Sequence, residues 1–168
     1  MDAKTETPTS GEAQASHDNP AVRIHNASDG MSLDALILEQ MADAVIYADR
    51  NGIIQRWNRA AESVFGFSAA EAIGQGLDLI IPERLRAAHW RGFDAAINSG
   101  ATRLEGRATI TRGLHKSGTT LYVEMSFALV TDAAGAVLGS VAAARDVTDR
   151  VNKEKAAASR GSQTSPKT

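Results

Sequence analysis

Two periodicities divide this chain. Between Thr119 and Val130, the residues Leu121, Val123, Met125, Phe127 and Leu129 fall on one face, and Tyr122, Glu124 and Ser126 on the other. That alternation predicts a strand with one buried side. From Leu85 the apolar positions step by four instead, through His89 and Phe93 to Ile97. That spacing predicts a helix of about 15 residues with a histidine inside its apolar stripe. Pro82 and Glu83 suit its first turn, and Asn98-Ser99-Gly100 its C-terminal cap.

The rest of the chain fills in around these two elements. Ser32 is a plausible N-cap for a helix whose Leu33, Leu36, Ile37, Gln40 and Met41 share one face, and this helix is expected to pack over the domain. Asp43 to Asp49 alternates, Arg50-Asn51-Gly52 forms a hairpin turn, and Ile53 to Trp57 is the return strand. Asn58 caps a short helix, Arg59 to Phe65, that Gly66 ends. Ser68 opens another, with Glu71 placed for a capping box. Gly74 and Gly76 break it, and an apolar segment from Leu77 to Ile81 leads into the His89 helix. Strands are then expected over Thr102 to about Leu114, Thr119 to Val130, and Val137 to Arg145. The order is two strands, short helices, one long helix, three strands.

Composition separates this middle from its ends. Residues 1–31 carry two basic and five acidic residues with no apolar periodicity, and residues 151–168 carry four basic and one acidic. Both flanks are expected to be disordered beyond a short helix stub from Val151 to Ala158, about two turns long. The flanks, −3 and +3, cancel in charge, so the middle carries the overall −2 and offers no basic field for nucleic acid. Apolar runs are too short to cross a bilayer and the first residues make no signal peptide, so a cytoplasmic location without membrane contact is expected. With no cysteine, the chain has no disulfide, thiolate metal site, cysteine nucleophile or flavin–cysteinyl adduct.

Candidate chemistry therefore narrows to His89. An imidazole on a core-facing stripe needs a partner: it is either a neutral core histidine sharing a proton with a backbone carbonyl, or a ligand. Trp57 reads as a core or rim aromatic and His115 as a solvated turn residue. His17 and His25 lie in the flank. Tyr122 and Glu124 point away from the inner face and suit a dimer or helix-packing surface. No phosphate-binding glycine loop and no nucleophile–base pair recurs at catalytic spacing, so an enzyme is not expected.

Several motifs stand in a telling order: Asp49-Arg50-Asn51-Gly52-Ile53-Ile54, Trp57-Asn58-Arg59-Ala60-Ala61-Glu62, Phe65-Gly66-Phe67-Ser68, Glu71-Ala72-Ile73-Gly74, Lys116-Ser117-Gly118 and Arg145-Asp146-Val147-Thr148-Asp149-Arg150. Over residues 35–149 this series resembles the PAS domain family. The resemblance implies one α+β domain over 32–150, with 32–41 as an N-terminal cap helix. It implies a five-stranded antiparallel sheet with short helices and one long helix on one face.

The run Pro82, Arg86, His89 is similar to that of the family's haem-binding branch, the oxygen-sensing kinases and direct oxygen-sensor phosphodiesterases. It implies haem b with His89 as proximal iron ligand. Arg103 would face a propionate, and Val123, Met125 and Phe127 would form the distal wall. Counted without gaps from His89, Arg107 falls where the direct oxygen sensors place a methionine ligand. Thr109 falls where both groups place the oxygen-binding arginine, and Gly92 where they place an aromatic. Either Arg107 takes the distal role or the site has lost its oxygen chemistry, and Met125 is a further candidate sixth ligand. Two functions stay open. One is a free-standing sensory module without its own output domain, sensing a diatomic gas or redox state through haem and signalling as a homodimer or to a partner protein in trans. The other is a dimerisation or protein-interaction module that binds another small ligand or none.

Overall fold

The computed structural model describes residues 31–161 apart from Glu105. The disorder expected over residues 1–30 and from 162 onward concerns residues outside that range. Ser32 caps α1 (Leu33–Gln40), its hydroxyl accepting from the Ala35 N–H. β1 (Ala44–Asp49) and β2 (Ile54–Trp57) come next as a hairpin. Its turn is closed by Asp49 Oδ1, which accepts from the N–H groups of Asn51 and Ile53, and by Gly52 at φ +74°. α2 (Arg59–Phe65) ends on Gly66 in the left-handed region, and α3 (Ala69–Ala72) carries the expected capping box of Ser68 and Glu71. Glu71 also pairs with Lys116 of the turn after β3, and that cation first of all holds its carboxyl down at about 2.

A 3-10 turn (Leu77–Leu79) then leads into α4 (Glu83–Ser99). Three long strands complete the chain's sheet: β3 (Thr109–Leu114), β4 (Thr120–Thr131) and β5 (Val137–Asp146). The sheet is antiparallel throughout, in the order β2-β1-β5-β4-β3. Its inner face meets α2, α3 and α4 around Phe65, Ile54 and Val123, the largest fully buried side chains. α5 (Thr148–Gly161) crosses the outer face. There it is tied to β4 by Thr148 Oγ1, which accepts from the Tyr122 N–H, and by the Arg150–Glu124 ion pair. Tyr122 also accepts from Lys155. So Tyr122 and Glu124 serve a helix-packing surface.

Four expectations need correction. β3 begins at Thr109 rather than Thr102, because Gly106 takes φ +77° and the Arg107 N–H closes a turn onto the Leu104 carbonyl. α1 buries none of its residues: Leu33, Leu36, Ile37 and Met41 are all exposed, Ile37 at 54%. α5 runs to Gly161, beyond a two-turn stub. His115 is half-buried rather than solvated; its ring abuts Gly66, where an added Cβ would lie 2.4 Å from its Nε2.

Asn58 joins three elements and is only 3% exposed. Its Oδ1 accepts from the N–H groups of Val45 (2.9 Å) and Ala61 (3.0 Å), and its Nδ2 donates to the carbonyls of Leu38 (2.9 Å) and Asp43 (3.1 Å). Asn58→Ala strips α2 of its cap and leaves the buried Val45 N–H without a partner. It should cost about 3 kcal/mol in urea unfolding. A loss below about 1 kcal/mol, the value of a lone exposed cap, would show that water replaces those bonds without penalty.

Candidate functional site

α4 begins without a side-chain cap, since Pro82 occupies that position. Arg86 fastens this end, donating from Nε to the Ile81 carbonyl (3.2 Å) and from Nη2 to the Asp78 carbonyl (3.1 Å). One turn on, the Trp90 indole donates to Asp78 Oδ1 at 2.8 Å. The other end is held by Phe93, Ala96 and Ile97, all buried. Along the helix from Leu85 to Ser99, its inner face and the sheet leave open space.

That space forms two cavities. A cleft of about 460 Å³ lies between α4, the connection after it, the start of β3 and the middle of β4; its walls include His89, Phe93, Arg103, Thr109, Met125 and Phe127. A deeper chamber of about 120 Å³ is lined by Ile46, Phe65, Leu85, His89, Val123 and Ser140 among others. His89, Thr111, Met125 and Phe127 border both. The cleft falls within the range of about 300–1,000 Å³ usual for small-molecule sites; the chamber alone does not. A third depression, between α1 and α2, holds none of the predicted site residues.

His89 sits where the two cavities meet. Its ring stacks on Phe93 (centroids 5.9 Å apart) and meets Trp90 edge-on (5.3 Å). Nδ1 is buried and has no hydrogen-bond partner among the described residues. The backbone carbonyl expected of a satisfied core histidine is therefore not supplied. Burial pushes the imidazole below its usual 6.5, against the raising influence of Asp78 and Asp94. A neutral imidazole on a cavity wall is ready to ligate a metal. No group of three or more His, Cys, Asp or Glu side chains that could hold a metal ion occurs among the described residues. Among the described residues, His89 therefore suits a metal that brings most of its own ligands, as the iron of a macrocycle does.

The other predicted residues divide. Arg103 lines the cleft, Val123 the chamber, and Met125 and Phe127 both. Arg107 borders neither cavity; it is exposed in the turn before β3, with Nε donating to the Leu104 carbonyl at 3.3 Å. Thr109 does line the cleft. The residues fit a flat, largely apolar group with carboxylates: one nitrogen donor, an apolar facing wall and an arginine in the cleft lining. Sequence reasoning passed over Thr111, Ser140, Asp78 and Trp90. Trp90 lies one residue after His89, off the four-residue stripe, so periodicity gave no reason to notice it.

A family model described as the PAS fold matches residues 33–147. Among curated proteins, the sensor protein FixL of Bradyrhizobium diazoefficiens is 36% identical over 90 residues, 54% of this chain and 18% of that protein. The oxygen sensor protein DosP of Escherichia coli is 30% identical over 106 residues, 63% of this chain and 13% of that protein. The chain thus spans less than a fifth of the length of either relative. Among solved structures, the PAS domain of a Colwellia psychrerythraea protein aligns with a TM-score of 0.61 at 24% identity, covering 70% of this chain and 96% of that one.

Because the folded imidazole takes a proton less readily than the unfolded one, the unfolded chain holds more protons just below 6.5. Stability is therefore expected to rise with pH from the depressed folded value up to 6.5, and to be fully present above it. Urea midpoints of the protein and of His89→Gln, compared across that window, should differ in slope. Parallel curves would mean that His89 titrates alike in both states.

Proposed function

The chain belongs to the PAS fold family, and we propose that it is a sensory module whose cleft takes haem b, with His89 as the proximal ligand. The observation that carries this reading is the imidazole of His89, buried at Nδ1 without a hydrogen-bond partner among the described residues and lining both cavities. Similarity to two proteins named as sensors, one an oxygen sensor, supports it. We assign the sensing unit to residues 32–150, with α1 as its cap.

Haem b would supply an iron that takes up a diatomic ligand or changes redox state. The chain's own residues do the rest. His89 would hold the iron from α4. Arg103 would neutralise a propionate at the cleft, and Met125 and Phe127 would keep water out of the cavities they line. Arg107 stands outside the cavities, so it gives no distal hydrogen bond in this conformation. The polar side chains facing the cleft from β3 are Thr109 and Thr111. The module works by ligand-biased conformation rather than turnover, and passes its state to a second copy or a partner protein.

Titration of the purified protein with haem should give a sharp Soret band saturating at one equivalent, and His89→Ala should lose it while keeping its far-UV circular dichroism. Equal, broad bands from both would end the haem reading. A second reading would then stand, an interaction module, favoured by the exposed apolar face of α1 at Leu33, Leu36 and Ile37.

A further inference from the structure

We infer that Trp90 is the positioning residue of this site: its indole fixes the imidazole of His89 and carries a displacement of that imidazole to the start of β5. The inference rests on the reading of His89 as the site's central group.

Neighbouring helix residues do not ordinarily face each other, yet the His89 and Trp90 rings meet edge-on at 5.3 Å, interplanar angle 80°. Phe93 locks the pair, stacked on His89 and edge-on to Trp90 at 5.4 Å. The indole is itself held from two sides. Its N–H is bonded to Asp78 Oδ1 at 2.8 Å. Its six-membered ring lies on the β1–β2 turn so closely that a Cβ at Gly52 would come 2.3 Å from Cη2. Only glycine admits that approach, and the φ of +74° makes the same demand. Trp90 therefore cannot turn without moving either Asp78 or the turn, and His89 cannot tilt toward Trp90 without pushing the indole.

The turn and the end of β1 are fastened to β5. Arg50 Nη1 donates to the Val137 carbonyl at 3.1 Å, and the Tyr47 hydroxyl donates to the Leu138 carbonyl at 3.2 Å. At Gly139 the strands lie so close that a Cβ would stand 2.2 Å from the Ala48 carbonyl oxygen. β5 then runs without a break in pairing along β1 and leads into α5. A rigid series of contacts thus joins the imidazole to the strand that precedes the exit helix. Tightly packed elements of this kind shift between discrete arrangements rather than yielding smoothly.

The first test uses the full chain without ligand, labelled with ¹⁵N. His89→Ala should shift the amide signals of Gly52, Val137 and Leu138. In a Trp90→Leu background the same replacement should leave the Val137 and Leu138 signals unmoved, a non-additivity that measures coupling. Asp78→Ala, which frees the indole but keeps it, should reduce the same shifts and covers the case in which Trp90→Leu does not fold. Equal shifts with and without Trp90 or Asp78 would overturn the inference. The second test reads haem affinity: Trp90→Phe and Asp78→Ala should weaken it about 10- to 100-fold, the usual range for groups that orient a ligand. Asp78→Asn, whose amide oxygen still accepts from the indole, should restore it. If the protein takes up no haem at one equivalent, the haem reading fails on its own and the amide coupling still decides the role of Trp90.

Discussion

The site depends on how α4 is fastened. The helix is bound at its beginning by Arg86 and Trp90 and near its end by Phe93, Ala96 and Ile97. Beside these fastenings, its face from Leu85 through His89 to Ser99 borders open space. A helix packed along its whole length would have closed over His89 and satisfied or expelled it. Held at both ends, it leaves an imidazole whose buried nitrogen has no partner among the described residues, at a cavity wall, a cost that a fold accepts where the group serves a function.

The two faces of the sheet divide the labour. Inward, β4 presents Val123, Met125 and Phe127 to the cavities; outward, the same strand presents Tyr122 and Glu124 to α5. A change felt on the inner face is therefore one strand thickness from the helix that leaves the domain. The β1–β2 turn adds a second route, since it touches Trp90 on one side and β5 on the other.

What could be read from sequence was whatever a local rule determines. The alternation from Leu121 to Leu129, the Asn51-Gly52 turn, the Ser68–Glu71 capping box and the step from Leu85 to Ile97 all appear as expected, because each arises from backbone geometry within a few residues. The start of β3 did not, because one positive φ at Gly106 outweighs the strand preference of Thr102 to Leu104. The same turn takes Arg107 out of the cavity wall, where a count without gaps from His89 had put it. α1 shows the apolar face of a packed helix, yet among the described residues nothing covers Leu33, Leu36 and Ile37. The contact of Trp90 with Gly52 joins residues far apart in the chain, and no periodicity encodes it.

The most direct test of His89 as the group that holds an iron is replacement of its side chain from solution. His89→Gly, which opens a space in place of the ring, should bind haem weakly alone and regain the sharp Soret band when imidazole is added. Recovery that saturates with imidazole would assign the role to this one nitrogen donor. A band that imidazole leaves unchanged, with wild-type affinity for haem, would place the iron ligand elsewhere and contradict the assignment of His89.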